Sequence, residues 1–295
     1  MRKFLMLLCL LSSINLFAQD SSLLKMLDDS MSLNSQKMDV TGTFKSIYII
    51  NTQSVETTAA NSLLFSVMHR FGKINDGGYN FFGLDNATMR LGFDYGITSD
   101  LSVGIGRSTF EKTFDGHLKY KLLKQKAGTN TMPVTADIFY GMYYTSLKNG
   151  DLSRDKLSYA FSLLIARKIS SSFSVQLTPT LLHYNLVPTV RDNNNVFVAG
   201  IGGRMLVTKH MSVNAEYNYI FPNQINSVKM YNSLSAGIDI ETGGHVFQLH
   251  VTNSQGMVEP IFLGKTTGTW RKGDIFFGFN ISRVFNFGQS KKKKS

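Results

Sequence analysis

Cysteine is nearly absent: the only one in 295 residues is Cys9, and it lies in a stretch that reads as a secretory signal. Arg2 and Lys3 supply the positive start, Phe4 to Leu11 and Ile14 to Phe17 the apolar core, and Ala18 the small residue before a cut at Gln19. Leu8, just ahead of Cys9, is too large for lipoprotein processing. Export then leaves a chain without thiols, which excludes disulfides, zinc thiolates and cysteine nucleophiles. Long apolar runs are missing too. No stretch of 18 apolar residues occurs and mean hydropathy is −0.05, which rules out membrane-spanning helices. Charge is sparse, at 17% of residues. Of the net +11, Arg2 and Lys3 carry two and Lys291 to Lys294 carry four. The remainder is scattered, no nucleic-acid motif accompanies it, and export argues against that partner. Phe (22), Tyr (12) and Gly (25) are abundant. That balance excludes disorder and suits short strands.

The chain divides into the signal (1–18), an N-terminal segment (19–61), a patterned region (62–287) and a basic tail (288–295). Ser21 to Met31 carries Leu23, Leu24 and Leu27 at amphipathic-helix spacing, and a tether follows to about Val40. From about residue 62, apolar and polar side chains alternate. Met89, Leu91, Phe93, Tyr95 and Ile97 share one face, and Thr88, Arg90, Gly92, Asp94 and Gly96 the other. Leu101, Val103 and Ile105 likewise oppose Ser102, Gly104, Gly106 and Ser108. A period of two means strands, since successive side chains leave opposite faces.

A soluble sandwich would carry Lys and Glu on its polar faces, with strands of about five or six residues. Here the polar faces are Gly, Ser, Thr and Asn, and the strands run to about ten residues, enough to span a bilayer at a tilt of ~45°. Tyr and Phe gather toward strand ends, as in an interfacial girdle. The oily face is therefore expected to meet lipid and the polar face a lumen. Tight turns at Thr98 to Asp100, Ser170 to Ser172, Lys209-His210 and Gly243-Gly244 alternate with longer loops at 72–86, 146–156, 186–194, 221–230 and 254–273.

The fold class this predicts is all-β: a closed antiparallel transmembrane barrel of twelve strands, with ten or fourteen as alternatives. The strands are placed near 62–71, 87–97, 101–109, 115–124, 132–145, 157–167, 172–184, 195–208, 211–220, 231–241, 244–253 and 274–287. Lipid offers no hydrogen bonds, so the sheet must close. An even count puts both ends on one side, expected to be the periplasm. Pro179 lacks a ladder donor, which predicts a bulge or weak pairing. The strand-like run Phe44 to Asn51 is read as a lumenal plug or inner-wall segment, with Ile47, Tyr48, Ile49 and Ile50 as its apolar part.

The stretch FGLDNATMRLGFDYGITSDLSVGIGRSTFEKTFDGHLKYKLL (Phe82 to Leu123) resembles an uncharacterised family of β-barrel proteins from Bacteroidota-type Gram-negative bacteria. HRFGKINDGGYNFFG (His69 to Gly83) and GDIFFGFNISRVF (Gly273 to Phe285) share that resemblance, which covers most of the chain from about Thr43 to Phe287. It implies an outer-membrane barrel and brings neither a substrate nor catalytic residues. The Lys291 to Lys294 tail is not part of it.

By alternation the lumen should hold Arg70, Arg90, Lys119, Lys121 and Arg204 with Asp94, Asp137, Glu216 and Asp239. Such a set either lines a permeation path or merely fills a narrow barrel, and its near balance argues against strong ion selectivity. Arg90 and Asp94 stand about 13 Å apart along one strand, so each needs another partner. The six histidines form no metal-binding pattern. His69 and His183 fall on outward faces, as the histidine of an outer-membrane phospholipase does, but no serine or asparagine partner is legible. Asp76-Gly77-Gly78 with Asp85-Asn86 could chelate calcium, though a glycine-rich turn explains it as well. Phe285 and Phe287 end the last strand as barrel-assembly signals do.

The leading expectation is a porin-like or gated channel for a small solute. A closed structural or surface-interaction barrel is the alternative, and a lipid hydrolase a distant third. No enzymatic activity, cofactor, metal or nucleic acid is expected. The expected partners are outer-membrane lipid, the barrel-assembly machinery and the solute.

Overall fold

The computed structural model describes residues 38–128, 131–148 and 150–287. The expected signal, the helix at Ser21 to Met31 and the Lys291 to Lys294 tail lie outside them. Twelve strands form one closed antiparallel barrel. They are β1 (Ser62–Lys73), β2 (Ala87–Gly96), β3 (Leu101–Ser108), β4 (Thr113–Leu123), β5 (Thr135–Thr145), β6 (Leu157–Lys168), β7 (Phe173–Tyr184), β8 (Asn195–Leu206), β9 (Met211–Ile220), β10 (Ser233–Thr242), β11 (His245–Thr252) and β12 (Phe276–Asn286). Each pairs with its sequence neighbours, and β12 closes on β1 through Phe279 opposite His69 and Ile281 opposite Val67. Closure leaves no edge, so every spanning strand has its backbone partners.

The alternation of the sequence is the alternation of the wall. Along β2 and β7 buried residues point inward at every second position, while Leu91, Phe93, Tyr95 and Leu177 stand exposed outside. An apolar outer face is stable only against lipid. Both barrel ends meet at the short-turn rim, as an even strand number requires. Just outside that rim, Met38–Asp39 pairs with Lys126–Ala127.

Pro179 makes no bulge. It sits in register opposite Ala199 on β8, whereas the β6–β7 ladder lapses between Ser162–Thr180 and Ile165–Leu177. The missing N–H thus weakens one of its two seams. A clear departure concerns the segment after β11. Expected to be an external loop over 254–273, it instead folds into the bore, with Met257, Val258, Ile261, Phe262 and Leu263 all buried. Its apolar residues, with Pro260 starting the helical turn Glu259–Phe262, need cover that no aqueous loop has.

Candidate functional site: an occupied bore

Residues 43–58 lie inside the barrel as an irregular hairpin rather than a strand. Ile49 N–H donates to Thr52 O (2.8 Å) and Ser54 N–H to Ile47 O (2.8 Å), which turns the chain at Ile50-Asn51. A lone bridge joins Tyr48 and Gln53. So short a hairpin cannot satisfy its own backbone, and the wall does so instead. Lys119 Nζ donates to the carbonyls of Ser54 (3.0 Å), Glu56 (3.0 Å) and Ile47 (3.4 Å) at the base. At the tip, the Glu216 carboxylate accepts the N–H groups of Asn51 (3.0 Å), Thr52 (3.0 Å) and Ile50 (3.2 Å).

Between these two charges the amide side chains fill in. Gln176 donates to Gln53 O (2.7 Å) and accepts from Val55 N–H (3.0 Å). Gln248 donates to Ile49 O (2.9 Å) and Asn280 to Ile50 O (3.0 Å). Arg70 reaches the Asn51 side-chain oxygen at 2.5 Å, and Asn51 donates to Ser235 Oγ at 2.9 Å. Of the charged wall residues, Lys119 and Glu216 therefore grip main chain, while Arg70 and Arg90 hold side chains. Ile47, Tyr48, Ile49 and Ile50, the expected plug residues, are all buried here.

The inward loop occupies the other half of the bore. Val258, Ile261, Phe262 and Leu263 pack in one cluster with the inward Phe139, Leu164, Leu182, Val196 and Val198 of β5 to β8, and the hairpin's Phe44, Ile49 and Val55 join it. Two tyrosines pin the loop: Tyr143 OH donates to the buried Glu259 carboxylate (2.6 Å) and Tyr184 OH to Pro260 O (2.5 Å). Where the two insertions meet, beside Thr52, Gln53, Glu259 and Phe262, the void is about 10 Å³. A single water needs at least that much.

Of the nine residues expected in the lumen, Arg70, Arg90, Asp94, Lys119, Asp137, Arg204, Glu216 and Asp239 are buried there, while Lys121 is half-buried near the short-turn rim, 3.5 Å from Thr57 Oγ1. Arg90 donates to Asp115 through Nε (2.9 Å) and Nη2 (2.5 Å), and His117 Nε2 lies 2.7 Å from Asp94. These pairs join β2 to β4 across β3, and glycine makes the gap. A Cβ on Gly106 would lie 2.6 Å from Arg90 Nη2 and 2.8 Å from Asp115 Oδ1, and one on Gly104 2.5 Å from Asp94 Oδ1. Asp239 accepts from Gln248 (2.9 Å). The Asp137 oxygens and Arg204 Nε make no hydrogen bond among the described residues.

The charged set expected in the lumen left out Asp115 and His117, although they share a face with Lys119, and the amides Gln176, Gln248 and Asn280, which alternation also places inward. Glu259, on a loop, had no such signal. His69 stacks on Phe279 (ring centroids 4.8 Å apart) on the outer face. His183 bonds Asn195 (2.7 Å), but the residues directly across from it are Tyr159 and Asn195, so no serine stands opposite. Asp76 and Asp85 join no group of three metal-ligating side chains among the described residues.

A family model described as a membrane-bound beta-barrel domain, DUF5777, matches residues 44–285. The chain belongs to this family. The matched DUF5777 span starts at Phe44, so the inner hairpin is part of the domain and not an appendage to it. Among solved structures the chain is similar to the NanC porin (9% identity, covering 75% of this chain and 98% of that one, TM-score 0.46). It is also similar to the KdgM porin (9%, 77% and 99%, 0.45) and to an outer-membrane channel of Pseudomonas putida F1 (12%, 78% and 98%, 0.45). These are likenesses of fold and carry no activity across. No curated protein sequence matches.

Proposed function

We propose that the protein is an outer-membrane channel for a small solute, closed as it stands, with hairpin 43–58 as its gate and both barrel ends in the periplasm. The observation that carries this reading is how the hairpin is held. Lys119, Glu216, Gln176, Gln248 and Asn280 bind its main chain through hydrogen bonds that water can take over as it leaves. The inward loop is seated by apolar burial and narrows the bore on the β5 to β8 side. On the opposite side, at the long-loop rim, a cleft of about 340 Å³ lies between Gly72, Lys73, Asn86, Thr88 and Gln255. Gly72 is two residues along the inward face of β1 from Arg70, which holds the hairpin tip.

The second reading is a permanently closed barrel that works through its outer loops, and the void of about 10 Å³ between the two insertions favours it. Planar-bilayer recordings separate the two. The mature chain is compared with a Lys119→Met/Glu216→Ala variant whose hairpin has lost both charged grips. Silence in the first and discrete openings in the second support the gated channel. Silence in both, with the hairpin shown by thiol labelling to have left the bore, supports the closed barrel. Phe285 and Phe287, at the end of β12 and exposed outward, suit recognition by the barrel-assembly machinery in this scheme.

A further inference from the structure

At the long-loop rim a second cavity, of about 630 Å³, lies between the segment 185–194, the segment 221–232 and the outer end of the inward loop. That volume falls within the range of small-molecule sites, about 300 to 1,000 Å³. Its apolar lining comes from Leu186, Val187, Pro188, Ile225, Val228 and Met230. An apolar concavity of this size with polar residues around it is the form a ligand groove takes. Val187 and Ile225 also pack against the bore cluster that contains Phe262 and Leu263, so the apolar surface continues from the cavity into the barrel.

The charged groups on this lining are already engaged. Asp192 accepts the N–H groups of Asn226 (2.6 Å) and Ser227 (2.9 Å) through one oxygen, and Thr189 N–H (3.2 Å) and Oγ1 (3.0 Å) through the other. Glu111 takes the Lys265 ammonium at 2.9 Å, and Asp151 has a partner as well. The Tyr184 hydroxyl is committed to Pro260 O. Asn193, Ser227 and Thr267 are exposed and meet water. A charged ligand would find no counter-charge here without breaking an existing pair, so what the cavity offers is apolar area. Its walls are preformed too. Asn193 N–H donates to Gln224 O (2.8 Å) and Asn226 Nδ2 to Arg191 O (2.7 Å). With the Asp192 bonds, these tie two loops into one rim before any ligand arrives, which lowers the ordering cost of binding.

We propose that this vestibule binds a neutral, apolar small molecule, its body against Val187, Ile225 and Met230. The driving force is the apolar area removed from water, so affinity follows the size of the ligand's apolar body and not its charge. Gly264 and Lys265 belong to the lining and continue into the loop that fills the bore, so the ligand rests on the molecule's inner obstruction. The site is independent of conductance: binding is read without any current, and a barrel that never opens would still bind.

The test uses the full-length mature chain in nanodiscs of zwitterionic lipid, with equilibrium dialysis against naphthalenemethanol. Benzyl alcohol serves as the smaller neutral probe, and naphthylmethylammonium and naphthoate as the charged counterparts. Uptake by empty nanodiscs is subtracted throughout. The expected result is saturable binding of naphthalenemethanol, with benzyl alcohol at least tenfold weaker and neither charged counterpart tighter than the neutral alcohol. Val187→Trp, which fills the cavity from a surface loop, should weaken naphthalenemethanol binding tenfold or more. Heat-modified gel mobility establishes that the variant barrel is intact. The proposal is overturned if no saturable signal appears, if a charged counterpart binds more tightly than the neutral alcohol, or if either tenfold difference fails to appear with an intact barrel.

Discussion

Replacing Glu216 with alanine should loosen the hairpin while leaving the wall closed. In the native bore this carboxylate, 2% exposed, accepts three main-chain N–H groups at 3.0 to 3.2 Å. A buried donor left without a partner costs about 1–3 kcal/mol. Water entering the space vacated by the side chain can satisfy one or two of the three. The net loss of docking free energy is then roughly 2–4 kcal/mol. At ~1.4 kcal/mol per decade this raises the undocked population roughly 30- to 700-fold. The assay is maleimide modification of a Thr52→Cys variant, since Thr52 is buried at the tip and bonds Glu216 through its backbone. With rapid redocking, the modification rate follows the open population. Glu216→Gln keeps an acceptor and should give a smaller rise. Equal rates with and without the Glu216→Ala change, both barrels folded by gel mobility, would refute the argument that main-chain capture holds the hairpin.

Gly106→Ala should break the Arg90–Asp115 pair, because the new methyl would sit 2.6 Å from Arg90 Nη2. Separating a buried pair costs about 3–5 kcal/mol, read as a lower temperature for loss of the folded gel band, while Gly116→Ala, whose methyl would meet nothing nearer than 3.9 Å, serves as the control. Leu177→Arg, on the lipid face near the middle of β7, should destabilise the barrel by about 2–4 kcal/mol in lipid-vesicle refolding; no effect there would contradict the assigned outer face. Burial alone would raise the Asp192 carboxyl, but the amides of Asn226 and Ser227 and the Thr189 hydroxyl hold it well below the ordinary range. A depressed carboxyl contributes stability that is present above its unfolded value, about 3.9, and lost as pH falls through the folded one. The tie between the two loops should therefore persist at pH 4.5 and relax only in stronger acid, whereas Asp192→Asn relaxes it at neutral pH; hydrogen exchange at Ser227 N–H reports both.

How much of this was legible follows from what each signal encodes. A period of two reports which face a side chain takes, so the strands, the oily exterior and the inward Arg90, Lys119 and Glu216 could be read from β2, β4 and β9. The period says nothing about which inward groups meet. Arg90 finds Asp115 only because register places Gly106 between them, and in the sequence Gly106 was one more small residue on a polar face. The run Ile47 to Ile50 advertised burial, but its hydrophobicity pointed away from what secures it, the polar capture of its backbone. The inward loop was misplaced because its length and its flanking polar residues resemble any external loop. Val258, Ile261 and Phe262 are too few to show a period, and only the apolar patch on β5 to β8 gives them a seat.

The grip on main chain has a consequence for how this molecule tolerates change. A wall that reads carbonyls and amides is largely indifferent to which side chains the hairpin carries. Asn51, bound by Arg70 and Ser235, Tyr48, bound by Arg90, Thr52, bound by Asn218, Lys45, bound by Glu241, and Thr57, bound by Lys121, are the positions where identity matters. Elsewhere between 43 and 58, residues that fit the bore and keep the turn could be exchanged. Lys119, Glu216, Gln176, Gln248 and Asn280 have no such latitude, because each serves a backbone atom that no substitution in the hairpin can move to them. The segment inside is free to drift in sequence, and the barrel around it is the part held fixed.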